Sequence, residues 1–155
     1  MSDKSDKKII SVNKKARYDY FIHETLEAGI VLQGTEVKSI REGRISLKEC
    51  YAKLEGGEVF LNKCHISPYN HSALYNHEPM RKRKLLLKKR EIRKLIGKAI
   101  EKGQTLVPLR VYLRRNLVKV ELALAQGKKI YDKREVMKRK EEERQISRAL
   151  KAKNR

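Results

Sequence analysis

The sequence of 155 residues predicts a mainly β fold, namely an OB-like antiparallel β-barrel with two to three flanking helices and a basic C-terminal tail that is disordered in isolation. Short segments in which apolar and polar residues alternate predict antiparallel strands that cover a core on one side. Two segments with helical spacing are each followed by a glycine, which is typical of a helix end. The C-terminal part is rich in charge and poor in apolar side chains.

The chain divides into three parts along its length. Residues 1–12 are mostly polar, and we expect them to form a flexible N-terminal arm. Residues 13–126 are expected to form the barrel, which begins with strands at 18–23 and 30–33 joined at Glu27-Ala28-Gly29. The tail follows.

Two helices are predicted within the barrel region. Val37 and Ile40 lie three residues apart, and Gly43 follows them as a stop. The longer helix has an apolar face, and Gly103 can adopt the left-handed conformation that ends it. The residues of that face are Ile92, Leu95, Ile96, Ala99 and Ile100.

Two β-hairpins are also predicted. Strands at 51–54 and 59–61 flank a glycine pair, and strands at 107–113 and 118–124 flank a short turn at Arg115-Asn116. In the strand at 107–113, the apolar positions are expected on one face, against the core. They are Val107, Leu109, Val111 and Leu113.

The charge indicates polyanionic partners. Lys and Arg total 39 against 19 acidic residues, a net charge of +20, which attracts RNA, DNA or anionic membranes. A membrane is disfavoured because the chain has no apolar run of about 18 residues. There is no apolar signal segment at the N-terminus, and two cysteines do not make a disulfide framework. We therefore expect a cytoplasmic monomer without a membrane partner.

Three patterns place cations in groups or beside aromatic rings. Residues 81–94 hold nine basic residues and one acid, and residues 13–18 join several cations to Tyr18. One strand face carries Arg110, Tyr112 and Arg114. Such surfaces suit exposed bases and RNA backbones, whereas the structural alternative is a solvated charged face.

No enzyme motif is present, so we expect no enzyme, no cofactor and no metal. The chain has no Gly-rich phosphate loop, nucleophile elbow, zinc-protease motif or Cys-x-x-Cys pair. One conceivable zinc set fits no standard spacing, and its cysteines are expected to pack as small apolar groups. That set is Cys50, Cys64, His65 and His71. Three glutamates would suit a metal-dependent nuclease, but no aspartate cluster lies near them, so they are expected at the surface or at helix ends. They are Glu24, Glu27 and Glu36. Glu27 could still accept hydrogen bonds from RNA.

The tail, residues 127–155, has a composition of its own. It holds 12 basic and 5 acidic residues among good helix formers. An isolated helix of this kind is marginal in water, so we expect it to fold along an anionic surface; a merely solubilising tail is the alternative. Tyr131-Asp132-Lys133-Arg134 places a stacking ring beside cations near its start.

Four stretches resemble the small protein B (SmpB) family, the SsrA-binding proteins that partner transfer-messenger RNA in trans-translation. They are NKKARYDYFI at 13–22, LEAGIVLQGTEVKSIR at 26–41, RKLLL at 83–87 and GKKIYDKR at 127–134. The stretches occur in family order, and the second and fourth are the most specific.

The resemblance implies a fold and a division of roles. An OB-like barrel would bind the tRNA-like domain of transfer-messenger RNA near its D-loop and elbow, and would stand in for the missing anticodon arm. The tail would enter the empty mRNA channel of a stalled ribosome, meet rRNA of the small-subunit decoding centre and become helical there. The stalled peptide would then receive a degradation tag.

The resemblance also implies site residues. The RNA-facing residues would be Asn13, Lys14, Arg17, Tyr18, Glu27, Lys38, Lys84, Leu87 and Lys88. The decoding-centre contacts would be Lys128, Lys129, Tyr131, Asp132, Lys133 and Arg134. Some relatives have His at the position of Tyr131, and either aromatic ring can stack.

Two alternative functions stay open: a ribosomal or general rRNA-binding module, and, less favoured, an RNA-processing enzyme.

Overall fold

The structure, a computed structural model, describes residues 7–72, 74–128 and 130–153. The first half of the chain contains β1 (Lys7–Val12), α1 (Ala16–Asp19), β2 (Tyr20–Ile30), α2 (Gly34–Arg41), β3 (Ile45–Ser46), β4 (Tyr51–Glu55) and β5 (Glu58–Asn62). The second half contains β6 (His65–Ile66), β7 (Arg83–Leu86), α3 (Lys89–Lys102), β8 (Thr105–Arg114), β9 (Leu117–Gly127) and α4 (Ile130–Lys153).

Seven strands form one antiparallel sheet in the order β1-β8-β4-β5-β7-β2-β9. Strand β9 also pairs with β8 along its length, so that six of the strands return on themselves in a ring. Strands β3 and β6 form a separate two-stranded ribbon. The prediction of a mainly β, antiparallel fold with flanking helices is confirmed, and the ring is compatible with an OB-like barrel.

The ring encloses the main core. All six of its strands contribute buried side chains, and residues of α2, α3, the β3–β6 ribbon and the loops beside it add to the cluster, among them Ile40, Leu95 and Ile66. The fully buried members from the strands are Ala28, Val59, Leu61, Leu85, Val120, Leu122 and Leu124. Burying a side chain of the size of valine or leucine contributes about 1.5–3 kcal/mol, so this cluster is the main stabilising feature of the barrel.

A β-bulge in β8 creates a second, smaller core. The pairing with β9 shifts register between Pro108 and Arg110, and the two faces of the strand exchange at that point. Val107 and Leu109 consequently pack under α1 on the outside of the ring, whereas Val111 points into the barrel. The prediction that these apolar positions share one face is therefore wrong, because strict alternation does not survive an inserted residue.

The predicted N-terminal arm needs correction. Residues 7–12 form β1, which pairs with the Arg110–Arg114 part of β8, while residues 1–6 lie outside the described residues. Strand β4 pairs with β8 only at Leu106, so the rest of that edge is open to β1. Ile10 packs against the main core and anchors the added strand.

The predicted turn at residues 27–29 is also wrong, because these residues lie within β2. Glu27 pairs with Glu121 and Gly29 pairs with Lys119 in a strand of 11 residues. The glycine is needed for packing rather than for a turn, since a Cβ atom at this position would lie 3.2 Å from Cβ of Leu86. Tyr18, predicted in the first strand, lies in α1.

The predicted hairpins and both predicted helices are confirmed. Residues Arg115 and Asn116 have φ values of 51° and 66°, as the tight turns that join twisted strands require. Gly103 has φ of 61° and ends α3 in the left-handed conformation. Gly43, with φ of 78°, follows α2.

The tail is helical in the structure, where the sequence predicted disorder in isolation. Helix α4 has 24 residues, which corresponds to a length of about 36 Å. Its good helix formers account for the difference, and its sparse apolar residues Ile146 and Leu150 remain about 60% exposed. No helix among the described residues is long and apolar enough to cross a membrane.

Candidate functional site

The outer face of β1, β8, β9 and β2 carries charged and aromatic side chains in two adjoining rows. Residues that are paired across neighbouring strands point to the same side of a sheet. The pairing therefore aligns Glu27 with Glu121 and Arg110, and aligns Lys119 with Tyr112. We define the sheet patch as Lys7, Glu27, Arg110, Tyr112, Arg114, Lys119 and Glu121.

Glu27 is the centre of the sheet patch. Its carboxylate accepts a hydrogen bond from the Tyr112 hydroxyl, and Nη1 of Arg114 lies 3.1 and 3.2 Å from its two oxygens. The ammonium group of Lys7 lies 5.0 Å from the centre of the Tyr112 ring. Because Tyr112 is only 2% exposed, it cannot offer the open stacking face that the sequence suggested.

These contacts determine the ionisation state of Glu27. Partial burial would raise the pKa of Glu27, but the hydrogen bond from Tyr112 and the charge of Arg114 outweigh it and lower that pKa. Burial and the neighbouring Glu27 carboxylate raise the pKa of Tyr112. Glu27 is thus an ionised acceptor at neutral pH, and its side chain is 30% exposed.

The loop at residues 13–18 is anchored at the bulge of β8. The backbone N–H of Asn13 donates to the Leu109 carbonyl at 2.7 Å, and its side-chain amide donates to the Pro108 carbonyl at 3.0 Å. Asn13 therefore positions the loop, while Lys14 and Arg17 are exposed. The Tyr18 side chain is 47% exposed, and its hydroxyl lies 3.3 Å from Sδ of Met137 in α4.

A groove of about 920 Å³ lies beside this loop. It is bounded by residues 11–16, 19–20, 45–51 and 105–107. Lysines 14, 15 and 48 line it together with buried apolar residues, among them Leu47 and Leu106. Asp19 and Glu49 also line the groove, so its net charge is only slightly positive. Its lysines can bind the phosphates of a nucleic acid, and its apolar lining can contact the bases.

Helix α2 extends the surface from the sheet patch. Nη2 of Arg41 donates to the Asn116 carbonyl in the β8–β9 turn at 3.4 Å. One turn earlier, the Lys38 ammonium group lies 5.4 Å from the centre of the Tyr69 ring. The exposed face of α2 thus connects the turn that ends the sheet patch with the loop between β6 and β7.

A buried ion pair sets the position of α2. Glu36 caps the helix by accepting the Gln33 backbone N–H at 2.7 Å. The same carboxylate binds Arg81 at 2.6 Å and also binds Arg83, and the side chains of Glu36 and Arg83 are both 0% exposed. Burial would raise the pKa of Glu36, but the hydrogen bond from Arg81, the Gln33 N–H and Arg83 lower it overall. Glu36 therefore has a structural role at a helix end.

The basic run at residues 81–94 does not form one surface. Arg83 is fully buried, and the Lys84 ammonium group lies 3.6 Å from Glu58. Leu87 packs against the main core, whereas its neighbour Leu86 is 50% exposed. Lys88 is exposed at the start of α3. The RNA roles predicted for Lys84, Leu87 and Lys88 stay predictions. Of these three side chains, Leu87 is partly buried.

Lys94 and Lys98 of α3 bind Glu24 of β2 at 2.6 and 2.7 Å. These hydrogen bonds lower the pKa of Glu24 to about 2. The pairs hold α3 against the barrel, so Glu24 has the surface role that the sequence predicted.

The predicted tail contacts begin at the end of the barrel. Lys128 donates its backbone N–H to the Asp19 carbonyl at 2.9 Å, and its ammonium group binds the Arg17 carbonyl at 3.1 Å. Lys129 lies outside the described residues. The other predicted contacts lie on α4, but their side chains are outside the description: Tyr131, Asp132, Lys133 and Arg134.

The conceivable zinc set does not come together as a site. Cys50 and Cys64 are buried free thiols, and their mutual hydrogen bond and burial raise the pKa of Cys50. His65 and His71 are exposed. Within the described ranges, no group of three or more His, Cys, Asp or Glu side chains could hold a metal ion.

Sequence reasoning missed several members of this surface. Lys7 and Glu121 belong to no motif, and Arg41 is only the last residue of the stretch at 26–41; strand pairing and packing bring these residues beside the predicted ones. The aromatic segment around Tyr69 was also missed, although two tyrosines and two histidines within nine residues were a visible signal.

Comparisons with known proteins agree on one family. The family model described as SmpB protein matches residues 10–152. The SsrA-binding protein of Geobacillus thermodenitrificans (strain NG80-2) is 62% identical over 147 residues, 95% of this chain and 95% of that protein. The SsrA-binding protein of Bacillus subtilis (strain 168) is 58% identical over 147 residues, 95% of this chain and 94% of that protein.

A solved structure is similar as well. It is described as "tmRNA-SmpB: a journey to the center of the bacterial ribosome", and its matching chain has a TM-score of 0.64 and 50% sequence identity. The match covers 77% of this chain and 85% of that chain. On sequence and fold together, the chain belongs to the SmpB family.

Proposed function

We propose that the protein binds the tRNA-like domain of transfer-messenger RNA and delivers it to stalled ribosomes for trans-translation. The observation that carries this proposal is the identity of 62% with an SsrA-binding protein along nearly the whole of both chains. The net charge of +20 supports an RNA partner independently of that identity. We further propose that the protein acts in the cytoplasm as a monomeric binding factor, without a reaction of its own.

Three neighbouring features form the proposed RNA surface: the loop at 13–18 with its groove, the sheet patch, and the exposed face of α2. Lysine and arginine side chains there would bind phosphates, which position the RNA. The ionised Glu27 supplies an acceptor for a base amino group or a 2′-hydroxyl, which a purely cationic surface lacks. Because Tyr112 and Arg114 hold this carboxylate, its orientation is fixed before RNA binds.

The tail is proposed to act on the ribosome rather than on the free RNA. Helix α4 carries mixed charge with few apolar residues, which suits a path along rRNA in the empty mRNA channel. The protein would thereby replace the anticodon arm that transfer-messenger RNA lacks.

Recovery of bound RNA tests the proposal. The tagged protein is purified from cells at moderate salt, and its RNA is sequenced. One dominant RNA with a tRNA-like end is expected. Uniform ribosomal RNA would favour a general rRNA-binding module, and cleavage of RNA that is lost with chelator would favour an enzyme.

RNA affinity should fall steeply with salt. If about six phosphates are contacted, affinity should drop on the order of a thousandfold between 50 and 200 mM salt, because counterions are released on binding. Filter binding at five salt concentrations measures the slope. A flat response would contradict an electrostatic interface.

Tyr131→Ala should reduce peptide tagging on stalled ribosomes more than it reduces binding of free RNA. The proposed reason is loss of a ring that stacks in the decoding centre, so Tyr131→Phe should retain tagging. Tagging rate and RNA affinity are measured for both variants. An unchanged tagging rate for Tyr131→Ala would remove this residue from the decoding-centre contacts.

A further inference from the structure

We propose that the segment at residues 67–80, which we name the aromatic loop, carries a second RNA contact in which Tyr75 stacks on an unpaired base. This inference rests on the proposed function, because it takes RNA as the partner. It adds a site beside α2 and apart from the sheet patch, at residues that none of the four family stretches includes.

Buried side chains anchor the end of the aromatic loop. His77 is 5% exposed, and its ring nitrogens lie 2.9 Å from the Thr35 hydroxyl and 2.8 Å from the Ile66 carbonyl. The buried guanidinium of Arg83 donates to the carbonyls of Glu78 and Pro79 at 3.3 and 3.2 Å. These contacts fix the end of the loop to α2 and to β6 and β7.

A second set of hydrogen bonds joins the two sides of the loop beyond this anchored end. The Asn76 side chain accepts the Tyr69 backbone N–H at 3.1 Å and donates to the Tyr69 carbonyl at 3.0 Å. Positions 69 and 76 are thus held together at the two ends of this part of the loop. Fixing the loop in advance lowers the conformational entropy that binding would otherwise cost.

The projecting residues display aromatic rings to solvent. The Tyr75 side chain is 74% exposed, which is unusual for an aromatic residue on a tightly anchored loop. The Tyr69 and His71 rings contact edge to face at 5.3 Å between centres. The ammonium group of Lys38 lies 5.4 Å from the centre of the Tyr69 ring, so a cation that can bind a phosphate stands beside this pair of rings.

The chemistry of the loop favours RNA over a protein partner. The aromatic loop contains two tyrosines, two histidines and two asparagines, and its one acidic residue is Glu78 near its end. Such side chains stack on bases and bind their polar edges, as single-stranded RNA sites do. Through α2 the loop is continuous with Arg41 and the sheet patch, so one RNA or one ribosomal surface could reach both.

The test compares Tyr75→Ala with Tyr75→Phe in the full-length protein. Affinity is measured in two arms, for the tRNA-like RNA and for purified ribosomes, because an unpaired base could come from either. Tyr75→Ala should weaken binding about tenfold in one arm, within the range of base–aromatic stacking. Tyr75→Phe should stay close to wild type, because it keeps the ring.

Two results would overturn the inference: no change with Tyr75→Ala in either arm, or an equal loss with Tyr75→Phe. A photocrosslinker placed by Tyr75→p-benzoylphenylalanine separates RNA from protein partners, and a crosslink to protein alone would also overturn it. Failure of the wild type to bind the tRNA-like RNA would instead count against the proposed function. Thermal unfolding of both variants checks that the exposed side chain is not needed for folding.

Discussion

Removal of residues 129–155 is expected to abolish peptide tagging while leaving the affinity for the tRNA-like RNA essentially unchanged. The reason is architectural, because the strand ring contains no residue of α4 and no α4 side chain that the structure describes belongs to the main core. The predicted RNA surface lies on the barrel and α2, whereas four of the six predicted decoding-centre residues, at 131–134, lie on α4. Tagging in a purified translation system and RNA affinity by filter binding are measured on the same preparation.

The structure determines where the cut should be made. Gly127 still pairs with Tyr20, and Lys128 binds the carbonyls of Asp19 and Arg17. A shorter protein that ends at Gln126 loses these contacts and serves as the matched control, since it should be less stable and bind RNA less well. If the protein that ends at Lys128 lost tagging and RNA affinity equally, the tail would belong to the RNA site of the barrel.

The sequence predicted the elements that depend on local rules. The hairpin turns followed from their residues, and the helix ending at Gly103 followed from its apolar spacing and its glycine. Strand β9 kept strict alternation, so its inward residues Val120, Leu122 and Leu124 could be identified without a structure. These features are decided within a few residues, where sequence patterns carry the information.

The sequence failed where a distant element decided the outcome. Strand β1 forms because β4 leaves one edge of β8 open, and nothing within residues 7–12 shows that. Gly29 looked like a turn residue but is set by the approach of Leu86 from another strand. The bulge near Pro108 exchanged two faces of a strand that looked regular.

The candidate site was predictable in part for the same reasons. The exposed cations Lys14, Arg17 and Lys38 were identified from charge and family motifs, and all are accessible. The partners of Glu27 could not be identified, because strand pairing brings Tyr112 and Arg114 to it from 85 and 87 residues away. Leu87 packs against the main core whereas Leu86 is 50% exposed, and a run of three leucines does not show which of them is exposed.

Glu36→Ala is expected to lower the free energy of unfolding by about 3–5 kcal/mol, because it leaves Arg83 as a buried charge without its partner. Urea denaturation followed by circular dichroism measures the change. Glu58→Ala is the matched control: it removes an acid that pairs with Lys84, but both side chains are 42% exposed. Such a pair contributes about 0–1 kcal/mol, so the control should unfold nearly like the wild type.

The dependence on pH has a definite sign. The pKa of Glu36 is lowered in the folded protein, so its ionised form stabilises the fold at every pH above its unfolded pKa of about 4.3. This contribution is lost as the pH falls through the lower folded pKa. The difference in unfolding free energy between the wild type and Glu36→Gln should therefore be constant near neutral pH and shrink in acid. A difference that grew in acid would show that Glu36 is protonated in the fold.

A double substitution separates the two roles of this buried pair. Glu36→Leu combined with Arg83→Met removes both buried charges, so it should recover much of the stability that Glu36→Ala loses. It cannot restore the cap at the start of α2, where the Glu36 carboxylate accepts the Gln33 N–H, nor the contact with Arg81. It also removes the hydrogen bonds that Arg83 donates to the carbonyls of Cys64, Glu78 and Pro79. Because α2 carries Lys38 and Arg41, a stable double variant that still binds RNA weakly would show that the pair positions the RNA surface. Full recovery of RNA affinity would restrict Glu36 and Arg83 to stability alone.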